Sequence, residues 1–195
     1  MRKLIAITQL TLDGVMQGPG GPEEDRSNGF TEGGWAMPFG DAALTKVIDE
    51  TIAGDFDLLL GRRTYEIWVG YWPKQTGSIA KAFGKAKKFV VSRTLDKLDW
   101  KESQLLRSVD DVRRLKASNG PELHIWGSSN LLQSLIAADL VDEYRFWIAP
   151  VVLGEGKKLF ENGVPPRGLS LVATKSTPKG LLINTYRPAG PVPRE

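Results

Sequence analysis

The chain has no cysteine and a single histidine, His124. Without cysteine there are no disulfides, thiolate nucleophiles or cysteine-held zinc and iron–sulfur clusters. One histidine excludes a conventional multi-histidine metal site. Long apolar runs are missing too. Met1–Thr8 is too short for the full architecture of a signal peptide, and Asp13 then interrupts the run. No later stretch approaches the roughly 20 apolar residues that span a bilayer, so a cytoplasmic chain is expected. Neither GxGxxG nor GxxxxGK[ST] occurs, which disfavours an ordinary dinucleotide fingerprint and a kinase-type phosphate loop.

The residues that are present fit one globular domain. The 195 residues are 41% hydrophobic and 25% charged, enough for a sizeable core. The net charge of +3 favours anionic ligands, including phosphates, without implying nucleic acid. The basic stretches Lys81–Lys88 and Arg113–Lys116 carry no base-reading motif and read as solvated helix faces.

Lys3–Leu10 reads as an opening strand. Glycines and prolines at 18–22 interrupt regular structure, so Gly14–Phe39 reads as one long loop, a length that often serves function. Asp41 can cap a helix over Ala42–Ala53, where Leu44, Val47, Ile48 and Ile52 recur at helical spacing. The strand Phe56–Leu60 ends at Gly61, and a helix begins at Arg62 or Arg63. Ile79–Lys87 and Ser108–Ala117 read as helices. Lys88–Val91, Glu122–Trp126 and Glu143–Ile148 read as strands. A helix after Gly127 carries Leu131, Leu132, Leu135 and Ile136. Two last strands, Ser170–Ser176 and Leu181–Tyr186, flank the turn Thr177–Gly180. Alternating strands and helices that give way to strands predict α/β layers with an antiparallel edge. One domain over 1–187 and a frayed, proline-rich tail over 188–195 are expected.

Three strand ends share a physical logic. At Gly61-Arg62-Arg63-Thr64 a glycine permits close approach, helix-start amides can bind phosphate oxygens, and arginine adds charge-assisted bonds. A solvated helix terminus is the other reading. At Ser92-Arg93 a hydroxyl and a guanidinium suit a terminal phosphate, or form a simple turn. At Gly127-Ser128-Ser129-Asn130-Leu131 a serine can cap the helix while its early amides face a pyrophosphate. An ordinary serine cap is the alternative there.

Several pieces occur in a telling order: Leu12-Asp13-Gly14, Leu60-Gly61-Arg62-Arg63-Thr64-Tyr65-Glu66, Val91-Ser92-Arg93-Thr94-Leu95, Gly127-Ser128-Ser129-Asn130-Leu131, Leu140-Val141-Asp142-Glu143 and Pro150–Gly156. This series resembles the dihydrofolate reductase superfamily. More closely it resembles the reductase domain of riboflavin biosynthesis and its stand-alone bacterial relatives.

The resemblance implies a three-layer fold: a central mixed, mostly parallel sheet flanked by helices, with an antiparallel C-terminal edge. It implies NADPH as hydride donor. Gly61, Arg62, Arg63 and Thr64 would lie at cofactor phosphates, Ser92 and Arg93 near the adenosine ribose phosphate, and Gly127–Leu131 at the pyrophosphate. Ser128 stands where the family often has a second glycine. A homodimer through the later strands is implied, using Tyr144, Phe146 and Ile148 or the face with Trp147; core packing is the other reading. By resemblance Asp41 is the acid candidate and Trp35 a pocket wall, although a helix cap also explains Asp41. Asp13 would shape a loop beside the nicotinamide or form a local turn.

Hydride transfer to a pteridine-like substrate or to a phosphorylated ribosyl-aminopyrimidine, such as 5-amino-6-(5-phosphoribosylamino)uracil, is therefore expected. No zinc-ligand cysteines accompany it, so a fused deaminase is not expected. The alternative is a nucleotide-binding regulatory or interaction module without reductase activity.

Overall fold

The computed structural model describes residues 1–161 and 164–194; Glu195, at the end of the expected tail, lies outside the described residues. Eight strands build one sheet: β1 (Leu4–Thr11), β2 (Phe56–Gly61), β3 (Lys88–Val91), β4 (Ser103–Leu106), β5 (Glu122–Trp126), β6 (Glu143–Ala149), β7 (Leu169–Ser176) and β8 (Leu182–Pro188). Their order is β4-β3-β2-β5-β1-β6-β8-β7. All pairings from β4 to β6 are parallel. β6–β8 and β8–β7 are antiparallel.

The helices are α1 (Ala42–Ile52), α2 (Arg62–Tyr71), α3 (Ser78–Lys85), α4 (Val109–Ala117) and α5 (Ser129–Ala137). Alternation along the strands sends side chains to opposite faces. Leu4, Ala6, Leu59, Leu123 and Ile125 pack with Val112 of α4 and Leu132, Leu135 and Ile136 of α5. On the other face, Leu58, Leu60 and Val90 meet Tyr65 of α2 and Phe83 of α3. Ile5, Ile7 and Trp147 meet Val47 and Ile48 of α1 there. The result is the expected three-layer α/β fold with an antiparallel C-terminal edge. No helix among the described residues is long and apolar enough to cross a membrane.

Four details differ from the sequence-based expectation. β4 carries no signal of its own: Ser103-Gln104-Leu105-Leu106 is short and begins polar, and its partner β3 defines it. Lys88 and Lys116 are buried, not solvated. Lys88 Nζ donates to Gly84 O (2.9 Å) and Lys101 O (3.2 Å) and lies 4.6 Å from the centre of the Trp100 ring. Burial pushes its pKa down to about 8. Lys116 pairs with Asp142 and joins α4 to the start of β6. Backbone pairing runs on past Pro188: Ala189 N–H donates to Gly168 O and Gly168 N–H to Gly190 O. Finally, Tyr144, Phe146 and Trp147 are buried in the core, while Ile148 is half-buried. The exposed strand is the sheet edge, β7, with Leu171 and Val172 outward.

Candidate functional site

Because β1, β2, β3 and β5 are parallel, their C-terminal ends share one edge of the sheet. β5 inserts between β2 and β1, a switch in strand order of the kind that opens a crevice at the strand ends. A cleft of about 1500 Å³ lies there. Gly61, Arg62, Arg63 and Thr64, Ser92 and Arg93, and Gly127 through Leu131 all line it. The structure thus brings the three strand-end turns together.

Helix capping differs among the helices that begin at this edge, and Ser108 and Val109 at the start of α4 line the cleft too. α1 is capped by Asp41 and α4 by Ser108 with Asp111. α2 and α5 open onto the cleft, and no side chain among the described residues caps either. α3 is uncapped as well, but it begins at an exposed turn. Uncapped first-turn amides are donors in search of an acceptor, and the helix dipole favours an anion there. Gly127 has φ +71, and a Cβ at that position would meet no described atom within 4 Å. It is a left-handed position with open space above it, as a backbone that approaches a ligand requires.

Ser128 behaves differently from a serine cap. It occupies the cap position of α5 in a left-handed conformation (φ 61, ψ 57) with no cap bond. Its hydroxyl accepts from Gly61 N–H (3.0 Å) and donates to Thr64 Oγ1 (2.9 Å). The hydroxyl therefore ties the β5–α5 turn to the β2–α2 turn. Ser128→Ala is expected to cost about 1–2 kcal/mol, since it strands a part-buried N–H and keeps the positive φ. Ser128→Gly should cost less, because glycine relieves about 1 kcal/mol of left-handed strain. Chemical denaturation of the pair measures this; equal losses would remove the conformational part of the explanation.

The arginines are exposed but placed. Arg62 donates to Glu66 Oε1 (2.7 Å) and Thr94 Oγ1 (2.6 Å). Ser92 Oγ accepts from Thr94 N–H and Leu95 N–H, which shapes the 92–95 turn. Among the described residues Arg93 has no ion-pair or hydrogen-bond partner. Arg107, which no sequence motif marks, lines the same end of the cleft and donates to Ser92 O (3.2 Å) and Leu95 O (2.7 Å).

Asp41 stands apart. Its carboxylate accepts from Leu44 N–H (2.8 Å) and from Lys179 N–H (3.2 Å) in the β7–β8 turn, and it does not line the cleft. The Leu44 bond, with Lys179 adding to it, holds its pKa below the usual carboxylate value. The acid assignment is corrected: Asp41 is a helix cap. Trp35 is buried with its indole N–H on Gln17 O (2.8 Å), and it is no wall of the cleft. Asp13 accepts from Thr11 Oγ1, Leu153 N–H and Gly154 N–H. Those bonds, the Thr11 hydroxyl foremost, lower its pKa to about 2. It fastens the turn after β1 to the segment after β6.

The long loop supplies groups that no local pattern marks. Gln17 Nε2 donates to Asp25 O and Ser27 O, and Gln17 Oε1 accepts from Lys157 N–H. Asp25 is buried and takes Lys157 Nζ (2.6 Å), Ser27 Oγ (2.7 Å) and Arg63 Nη2 (3.3 Å). Burial pushes its carboxyl up, but Lys157 and Ser27 together hold it below the ordinary value. The inner wall is aromatic. Phe83 stacks on Trp68, and edge contacts lead through Trp126 to Trp147 at centroid spacings of 4.8, 5.5 and 5.5 Å.

Comparison with known proteins fits this geometry. The uncharacterized protein YyaP of Bacillus subtilis is 29% identical over 191 residues, covering 95% of this chain and 94% of that protein. A structure from Shewanella sp. PV-4, provisionally named a riboflavin biosynthesis protein, superposes with a TM-score of 0.69 at 19% identity, over 96% of this chain and 99% of the other. A pyrimidine reductase-like protein of Corynebacterium diphtheriae gives 0.63 at 15% identity, over 96% and 92%. Enterococcus faecalis dihydrofolate reductase, complexed with NADP(H) and RAB-propyl, gives 0.62 at 18% identity, over 95% and 96%. The model of the RibD C-terminal domain matches residues 2–183, and the chain belongs to that family.

Proposed function

We propose that the chain is an NADPH-dependent reductase. Its cleft would hold the cofactor across the three strand-end turns, and it would reduce a pteridine-like substrate or a phosphorylated ribosyl-aminopyrimidine. The observation that carries this reading is the pair of helix N-termini, α2 and α5, left without side-chain caps on one cleft. Arg62, Arg63, Arg93 and the uncapped amides form a donor set suited to several phosphates in a row. Gly61 and Gly127 let the backbone come close. Ser129, Asn130 and Leu131 contribute the first amides of α5, and Thr64 and Ser92 contribute hydroxyls. The residues present therefore fit the group.

NADPH, when bound, supplies the hydride. The protein's part is to orient and to exclude water. The Trp68–Phe83–Trp126 wall offers flat apolar contact for a planar ring, and residues 16–25 of the long loop line the cleft beside it. A cytoplasmic location accords with such a cofactor. A homodimer through the β7 edge fits the outward Leu171 and Val172.

Titration with NADPH and NADH, then assays with dihydrofolate and 5-amino-6-(5-phosphoribosylamino)uracil as trial substrates, test the reading. NADPH binding with turnover of either one is the expected result. Binding without turnover would favour a regulatory module; no binding to either nucleotide would overturn both.

A further inference from the structure

With Asp41 removed from the chemistry, the cleft needs another source of protons. Among the described residues four acidic side chains line it: Glu23, Glu24, Asp25 and Glu66. Glu23 pairs with Arg26. Asp25 is enclosed by Lys157, Arg63 and Ser27. Glu66 accepts from Arg62. Each of these three carboxylates is already engaged by a cation.

Glu24 is the exception. Among the described residues it has no cationic partner, although Arg26 lies on its own loop, Arg62 and Arg63 on α2, and Lys157 in the segment after β6. Its Oε2 accepts from Gly20 N–H (2.6 Å), while its own N–H donates to Gly21 O (3.1 Å). These two bonds fold the side chain of the half-buried Glu24 against Gly20, where an added Cβ would come within 3.0 Å of Oε2. Glycine at position 20 leaves room for that placement.

We propose that Glu24 is the proton donor of the reduction, which rests on the reductase reading above. In the step, the Oε–H bond breaks as an N–H bond forms on the nitrogen of a substrate C=N. The electron pair for the neighbouring carbon arrives with the hydride, and the carboxylate regains its proton from water. Burial supports this role by pushing the Glu24 carboxyl up, against the pull of Gly20 N–H, and the Asp25 carboxylate adds to the rise. A donor must be protonated to act, so turnover should fall as pH rises through the midpoint of Glu24.

Carbon-13 NMR of the side-chain carboxyls, assigned with Glu24→Gln and read with and without NADP+, gives that midpoint independently of turnover. Glu24 should titrate above the ordinary glutamate value in both states. In NADPH oxidation with the trial substrates, Glu24→Gln should lower kcat by about 100-fold and abolish the alkaline fall. Glu24→Asp should recover part of the rate, and NADPH affinity should be unchanged in both variants. Asp41→Ala, the control, should melt lower and turn over normally. A Glu24 midpoint at or below the ordinary value, or Glu24→Gln with the rate and pH profile of the unaltered protein, overturns the proposal. Failure of the unaltered protein to bind NADPH counts against the reductase reading instead.

Discussion

Gly127→Val is expected to weaken NADPH binding by about 100-fold, or ~2.7 kcal/mol. Two effects act together. Position 127 has φ +71, a region that a β-branched residue enters at a cost of about 1–3 kcal/mol. The valine side chain would also occupy the open space over the start of α5, where the first amides face the cleft. Each hydrogen bond from an amide to a charged phosphate is worth about 1.5–3 kcal/mol, so displacing one accounts for the loss. Gly127→Ala shares most of the backbone strain and little of the obstruction, and should lose less affinity. Fluorescence titration measures the binding, and a melting curve reads the strain separately. An unaltered Kd for Gly127→Val would detach the cofactor from this turn.

The second large effect concerns His124 and acid. The ring is buried and stacks on Phe56 at a centroid distance of 4.5 Å. Neither ring nitrogen has a hydrogen-bond partner among the described residues. Burial, reinforced by Arg145 and opposed by Glu143, pushes its pKa down from 6.5 to about 4. The folded protein therefore keeps the ring neutral where the unfolded chain binds a proton. Stability from this group is complete above pH 6.5 and is lost as pH falls from there to about 4. The loss amounts to roughly 3 kcal/mol. His124→Leu has no proton to bind, so that part of the acid slope should vanish. Since no hydrogen bond is given up, the variant should lose little at neutral pH. Denaturation series across this range decide it; identical slopes in the two proteins would place the acid sensitivity elsewhere.

Much of the frame is readable from the chain because it is local. Phe56–Leu60 is apolar and ends at a glycine, and Asp41 precedes a helical repeat; both behave as their neighbours dictate. The strand ends at Gly61, Ser92 and Gly127 are likewise visible, and a parallel sheet forces them onto one edge. The features that stay hidden depend on distant partners. β4 exists because β3 offers it an edge. The Ser128 hydroxyl looks like a cap until the fold sets it beside Gly61 and Thr64, more than sixty positions earlier. Asp25 and Lys157 are separated by 132 positions, and nothing near either marks the pair. Glu24 is one acid in a run of three, and only the positions of the surrounding cations set it apart. Asp41 shows the converse error: a residue in a suggestive place whose carboxylate is already spent on backbone amides.

Everything functional depends on three separated turns acting as a single anion cradle. Amide NMR during addition of NADPH tests that most directly. The expected result is that signals from Gly61–Thr64, Ser92–Arg93 and Gly127–Leu131 shift along one common saturation curve, with NADH shifting them more weakly. Shifts confined to a single turn, or three turns saturating at unrelated concentrations, would contradict it.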